Sequence, residues 1–178
     1  MQRIHSITIL AVLAAAVSCG VCRAAEYDQA KLIDLLQSAA PSAEKAIACK
    51  HLAICGKQEA VPALAALLSD EKLNLYARFA LEAIPDPAVD DALREAAAKL
   101  QGRQLVGVIN SIGKRRDAKA LDLLKGLTEK ADKPVASAAA HAIGRIGTAE
   151  AAAVLTDAIA KESPVKRCLG DGALACAE

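Results

Sequence analysis

The segment AAHAIGRIGTAEAAAVL, at residues 139–155, decides the fold because three earlier segments repeat its pattern. Those segments align with it without gaps and read ACKHLAICGKQEAVPAL from Ala48, ARFALEAIPDPAVDDAL from Ala77 and LVGVINSIGKRRDAKAL from Leu105. A turn residue stands at the same place in each of the four segments: Gly56, Pro85, Gly113 and Gly147. These turn residues lie 29, 28 and 34 residues apart. A period of this size indicates a repeat architecture.

Apolar residues hold fixed positions around each turn residue. They stand eight, four and one positions before it and eight after it; in the last copy they are Ala139, Ile143, Ile146 and Leu155. Spacings of this kind lie on one helical face. Neither helix of a pair can bury such a face alone, whereas stacked pairs can. The sequence therefore predicts an all-α fold, an α-solenoid of helical hairpins.

The residues at each turn predict where helices end and begin. Gly56, Gly113 and Gly147 follow apolar periodic runs, so each is expected to end a helix in the left-handed conformation. In the second copy Pro85 ends the first helix, Asp86 caps the next helix, and Pro87 occupies its first turn. Thr148 and Ser163 are further predicted helix N-caps.

Residues 1–24 have the pattern of a secretory signal peptide. Arg3 precedes an uncharged apolar run at residues 6–18, which is too short to span a bilayer. Small side chains at Cys22 and Ala24 favour cleavage after Ala24. Residues 16–19 also loosely resemble a lipobox, in which Cys19 would be lipidated and would tether the protein to a membrane. We expect export to the periplasm or beyond, with the free form predicted and the lipid anchor as the alternative.

The remaining chain divides into a cap, four repeats and a part of a fifth. Residues 25–41 are predicted to form an N-terminal capping helix. Its inward face is predicted to carry Leu32, Leu35 and Leu36. Residues 42–163 hold the four repeats. Residues 164–178 match only the first helix of a fifth repeat, with Leu174 and Ala177 expected in the seam between repeats.

Composition and motifs exclude several classes of function. The formal net charge is +1, aromatic residues make up 2% of the chain, and tryptophan is absent. A nucleic-acid-binding surface needs clustered cations and usually stacking rings, so none is expected. The sequence has no glycine-rich phosphate loop, GxSxG or HExxH motif. We therefore predict a protein that is not an enzyme.

No metal or cofactor site is predicted. His51 and Cys55 are four residues apart on one helix, which is a possible ligand spacing. The equivalent positions in the other repeats hold alanine, valine or isoleucine, so both residues are expected to pack in the core. His141 has no ligand partner at a suitable spacing. Free, mostly buried thiols are expected for four cysteines: Cys49, Cys55, Cys168 and Cys176.

The repeats resemble the HEAT-like family, in particular the short bacterial form associated with phycobiliprotein lyases and exported bacterial HEAT-repeat proteins. Segments such as EAVPALAALLSDEKLNLYARFALEAI and AAAHAIGRIGTAEAAAVL carry the resemblance. It implies an α-solenoid that binds or scaffolds an unidentified protein. Composition, motifs and the short apolar run separately predict no nucleic acid, no cofactor and no membrane span. The alternatives are a lyase-like protein that handles a tetrapyrrole and the repeat part of a larger exported enzyme.

The predicted partner surface is the outward face of the second helices, called here the second-helix ridge. Its residues stand six, nine or ten positions after the turn residues: Asp91, Arg94, Glu95, Lys119, Asp122, Thr156 and Asp157. Arg94 is expected to pair with Asp90, four residues before it. The basic triplet Lys114, Arg115 and Arg116 is expected either to charge a helix C-terminus or to contact an acidic partner.

Overall fold

The computed structural model describes residues 27–129, 132–160 and 166–176, and within them it holds α-helices, short 3-10 turns and no strand. The α-helices are α1 (Gln29–Gln37), α2 (Ser42–Cys55), α3 (Val61–Ala66), α4 (Asn74–Ala83), α5 (Pro87–Lys99), α6 (Gly102–Arg115), α7 (Leu121–Thr128), α8 (Lys133–Ile146), α9 (Ala149–Ala160) and α10 (Lys166–Ala175). The 3-10 turns are Gln58–Ala60, Leu67–Ser69 and Ala118–Ala120. The predicted all-α fold is confirmed.

The helices form two layers of stacked hairpins. In the first layer α2, α4, α6, α8 and α10 pack in succession. In the second layer α3 contacts α5 and α7 contacts α9, while α5 packs on α6 and α7 on α8 between the layers. Helix α1 covers α2 at the start of the array. No described helix is long and apolar enough to cross a membrane.

The predicted seam positions form the core. Only Cys55 and Leu121 of these positions are half-buried, and the others are buried. Leu81 and Ile109, each four residues before a turn residue, are fully buried. Large aliphatic side chains alternate with small alanines along the seam, so the core fills with hardly any aromatic residue.

Two of the three glycine predictions are wrong. Gly147 takes the left-handed conformation with φ 69°, but Gly56 is extended with φ −66°. Gly113 lies inside α6, which continues to Arg115 and ends at a left-handed Arg116 with φ 56°. A Cβ atom at Gly113 would lie 2.8 Å from the Cα atom of Ala142. Close packing of α6 on α8, rather than a turn, therefore requires glycine at this position.

The two caps predicted within the described residues are confirmed. The Asp86 carboxylate accepts a hydrogen bond from the Ala88 backbone N–H at 2.9 Å, and α5 begins at Pro87. The Thr148 hydroxyl accepts one from the Ala151 N–H at 3.2 Å. Ser163 lies outside the described residues, as do the signal segment and Cys19.

The two ends of the array differ in how well the sequence predicted them. In α1, Leu36 is buried and Leu32 and Leu35 are half-buried, as expected. In α10, Leu169 is buried but Leu174 is 70% exposed, so its predicted place in the seam is wrong. Gly172 faces α8 instead, where an added Cβ would lie 2.7 Å from the Ala140 carbonyl oxygen. Leu174, two residues further on, is turned to the opposite side because each residue rotates the helix by about 100°.

Replacing either buried leucine-sized residue with alanine, as Leu81→Ala or Ile109→Ala, is expected to lower the free energy of unfolding by about 2–5 kcal/mol. The reason is the lost transfer energy plus the cavity left in the seam. The exposed Leu174→Ala is the matched control and should cost less than about 1 kcal/mol. Urea unfolding followed by circular dichroism measures all three. A loss below about 1 kcal/mol for both buried positions would show that the repeat register is wrong.

Candidate functional site

The second-helix ridge places its residues on three helices and one turn. Asp91, Arg94 and Glu95 lie on α5, Lys119 lies in the 3-10 turn before α7, and Asp122 lies on α7. Thr156 and Asp157 lie on α9. All of them are exposed except Arg94, which is half-buried. Their role as a partner surface stays a prediction.

Arg94 joins two elements of the protein itself. Its guanidinium binds the carboxylates of both Asp91 and Asp117. Asp117 is buried and precedes α7, so the pair ties α5 to the start of the next hairpin. The predicted pair with Asp90 is wrong, because Asp90 binds Arg115 of α6 instead.

Arg115 of the basic triplet closes the C-terminal end of α4. Its guanidinium donates hydrogen bonds to the carbonyl oxygens of Ile84 at 2.7 Å and Asp86 at 3.1 Å. The last carbonyls of a helix lack partners within the helix and carry partial negative charge. Arg115 satisfies the Ile84 carbonyl from the next repeat and also bonds the carbonyl of Asp86, the N-cap of α5, while Arg116 takes the left-handed position that ends α6. Of the two readings of the triplet, helix charge is the one that these contacts support.

A second polar cluster joins α4 to α6. Arg78 donates to the Gly107 carbonyl at 3.1 Å, and the buried Ser111 hydroxyl donates to Glu82 at 2.6 Å. The Lys114 ammonium lies 2.7 Å from the other Glu82 oxygen. A Cβ at Gly107 would lie 2.8 Å from Arg78 Nε, so glycine makes room for the guanidinium. These polar groups are engaged in holding consecutive repeats together.

The histidines and cysteines do not converge on a common site. His51 is half-buried and stacks on Tyr27 with ring centroids 4.0 Å apart, and His141 is exposed. In the part of the chain that the structure describes, no three His, Cys, Asp or Glu residues could hold a metal ion. Four cysteines there are free, but the prediction that they are mostly buried is wrong, because Cys49 is buried and the other three are half-buried. Burial raises the pKa of Cys49 to about 11. A thiol with so high a pKa is not a thiolate nucleophile at neutral pH.

An apolar groove of about 670 Å³ lies between α2 and α4 and is called here the α2/α4 groove. Three large side chains in it are more than half exposed: Ile54 at 70%, Leu75 at 60% and Phe79 at 57%. Phe79 is the single phenylalanine of the chain, and one of its two tyrosines, Tyr76, lines the same groove. The remaining lining residues are Lys50, Ala53 and Ala83.

The sequence carries a signal for this groove that the search for seam positions missed. Ile54 stands two positions before its turn residue, where the last two repeats hold Ser111 and Arg145. Phe79 stands six positions before its turn residue, where those repeats hold Gly107 and His141. Large apolar residues therefore stand outside the seam positions in the first two repeats, where the next two repeats hold polar residues or glycine. Comparing the repeats at positions outside the seam would have found them.

A second hollow of about 440 Å³ lies between α3 and α5. Its lining is mostly small and includes Ala65, Ala92 and Ala96. At its rim the ridge residue Glu95 pairs with Lys99 at 2.5 Å, and both side chains are exposed. In the first two repeats, the second-helix ridge therefore borders an apolar surface at Glu95.

Comparison with known families gives one match, which lies in the later repeats. Residues 105–168 match the model of HEAT repeats. This match supports a HEAT-like repeat protein, in agreement with the resemblance of the repeats and with the helical fold. HEAT repeats are generally protein-interaction or scaffold modules. No curated protein matches the chain. The α2/α4 groove lies outside the matched segment.

Removing the guanidinium by Arg115→Met is expected to lower the free energy of unfolding by about 1–3 kcal/mol, because partly buried carbonyls and the Asp90 carboxylate lose their partner. Lys119→Met, on the exposed second-helix ridge, is the matched control and should leave the urea midpoint unchanged. Equal midpoints for Arg115→Met and the unaltered protein would contradict a structural role for the basic triplet.

Proposed function

We propose that the protein is a non-enzymatic interaction or scaffolding module, built from HEAT-like repeats, that binds a protein partner after export. The α2/α4 groove carries the proposal, because it leaves Ile54, Leu75 and Phe79 largely in water. Large apolar side chains that cluster on a surface mark sites of interaction.

The polar residues of the first repeats support a binding role rather than a catalytic one. A catalytic site needs converging titratable groups in a cleft. Among the described residues, Arg78, Glu82, Arg94 and Arg115 are engaged in bonds between repeats. The α2/α4 groove contains one ionisable amine, Lys50, and one phenol, Tyr76.

Export is part of the proposal and rests on residues 1–24. The proposed mature protein begins at Ala25 and acts in the periplasm or outside the cell. Lipidation at Cys19 is the alternative processing route, which would hold the same repeats at a membrane surface.

The second-helix ridge is the second proposed contact surface. The hollow between α3 and α5 supports it, since Glu95 and Lys99 border a lining of alanines there. A partner that covers this surface would bury small residues and a rim ion pair, in the usual arrangement of an apolar centre with a polar rim.

A tetrapyrrole-handling or larger-enzyme role is the alternative function. The rings of Tyr76 and Phe79 in the α2/α4 groove are the observation that favours a planar ligand. The purified protein is expected to be colourless under this proposal, whereas visible absorbance from a co-purified pigment would support the alternative.

Site-specific photo-crosslinking in the native host tests the proposal. A photoreactive amino acid at Phe79 reports on the α2/α4 groove, one at Thr156 reports on the second-helix ridge, and one at Leu174 serves as an exposed apolar control. We expect a discrete adduct from Phe79 and none from Leu174, because Phe79 lines the concave α2/α4 groove whereas Leu174 lines neither of the two hollows described above.

The same samples test export. Intact mass should show a chain that begins at Ala25, and a lipid-modified chain that begins at Cys19 would establish the alternative route. The interaction proposal fails if neither Phe79 nor Thr156 gives an adduct, or if Leu174 gives the same adducts. An adduct from Thr156 alone would move the site to the second-helix ridge.

A further inference from the structure

We propose that the α2/α4 groove binds an amphipathic helix of the partner, apolar along one face and acidic beside it, and that Lys50 selects the acidic side. This inference rests on the proposed function and names the chemistry of the partner. It uses residues on the first helices of the repeats, whereas the second-helix ridge lies on the other layer.

The apolar residues of the α2/α4 groove have the spacing of a helix-binding surface. Leu75, Phe79 and Ala83 follow one another at four-residue intervals along α4, and Ile54 faces them from α2. Eight residues of helix extend about 12 Å, or slightly more than two turns. A bound helix with apolar residues at i, i+4 and i+7 presents anchors over the same length.

The charge of the α2/α4 groove selects an acidic partner. Lys50 is the charged residue in its lining, and no carboxylate of the described residues pairs with it. Its ammonium lies 5.7 Å from the centre of the Tyr76 ring. An occupant that covers the apolar lining would also remove water from this ammonium. A carboxylate beside the apolar face of the occupant then compensates the charge.

The chain's own N-terminal apolar run lacks the required charge. Residues 1–25 contain no aspartate or glutamate, so the run at residues 6–18 could fill the α2/α4 groove but would leave Lys50 without a partner. Tyr27 stacks on His51, which follows Lys50 in the chain, and the N-terminal run is therefore included in the test as an alternative occupant.

A second copy of the chain is also a poor occupant. A two-fold symmetric contact through this groove would bring Lys50 of both copies into one interface. The three exposed side chains offer an area on the order of a few hundred Å², the size of a single surface patch. A stable dimer usually buries about 800 Å² on each partner. The area suits a short helix better than a second folded chain.

The test measures binding of two labelled peptide helices to the full chain by fluorescence anisotropy at low salt. Both peptides carry leucine at i, i+4 and i+7; one has glutamates beside the leucines and the other has lysines there. We expect the acidic peptide to bind about threefold to tenfold more tightly than the basic one, because one pairs with Lys50 and the other is repelled by it.

Three variants assign the binding to the groove. Lys50→Glu should reverse the preference between the two peptides. Phe79→Ser should weaken the acidic peptide by about tenfold or more, because it removes the largest apolar contact. Leu174→Ser, which alters an exposed leucine of α10, should change neither affinity. Circular dichroism of each variant confirms that the helices are retained.

Four results with the peptides and the variants would overturn the inference. The first two are equal binding of the two peptides and peptide binding that survives Phe79→Ser. The third is a dimer of the unaltered protein that Phe79→Ser dissociates. The fourth is peptide binding that appears only when Leu10→Asp and Leu13→Asp disrupt the N-terminal run. Phe79-dependent binding to anionic phosphatidylglycerol vesicles without peptide binding would also overturn it, in favour of a lipid surface. If the peptide tests fail but a photoreactive residue at Phe79 crosslinks a protein partner, the proposed function is retained and only the inference of an acidic helix is rejected.

Discussion

The close approach of consecutive first helices at small residues is the constraint on which the structure depends. Gly113 of α6 meets the backbone of Ala142 on α8, and Gly144 of α8 meets the backbone of Gly172 on α10. Because the backbones come so near, leucine and isoleucine suffice to fill the seam between them. The polar contacts of Arg78 and Arg115 span the same short distance and tie α4 to α6.

The close approach of the first helices also bears on the aromatic residues, which lie outside the seam. No aromatic side chain is among the buried core residues that the structure describes, and the chain has one phenylalanine and two tyrosines. Phe79 and Tyr76 lie together at the α2/α4 groove with Ile54 and Leu75. Within the described residues the repeats leave Ile54, Leu75 and Phe79 more than half exposed, and the proposed function assigns the burial of these side chains to a partner.

The periodicity of the sequence predicted the fold and the seam positions. It did not predict the bonding partners of the polar side chains or the role of each glycine. Leu81 and Ile109 follow directly from a pattern that four copies share. Gly113 was misassigned because one sequence does not distinguish a glycine needed for a left-handed turn from one needed for close packing. Arg115 bonds atoms of Ile84, Asp86 and Asp90 in the preceding repeat, and no local spacing reveals such partners. The α2/α4 groove was missed because the search followed the positions that the repeats share.

Glycine at position 113 lets α6 and α8 approach backbone to backbone, and a comparison of Gly113→Ala with Gly126→Ala tests this requirement. Both residues lie inside helices, but a Cβ at Gly126 of α7 meets nothing within 4 Å, whereas one at Gly113 meets Ala142. In urea unfolding, Gly126→Ala should raise the free energy of unfolding by about 0.5–1 kcal/mol. Gly113→Ala should lower it by about 1–3 kcal/mol as α8 is displaced. Equal stabilisation by the two substitutions would show that close packing of α6 on α8 does not require glycine at position 113.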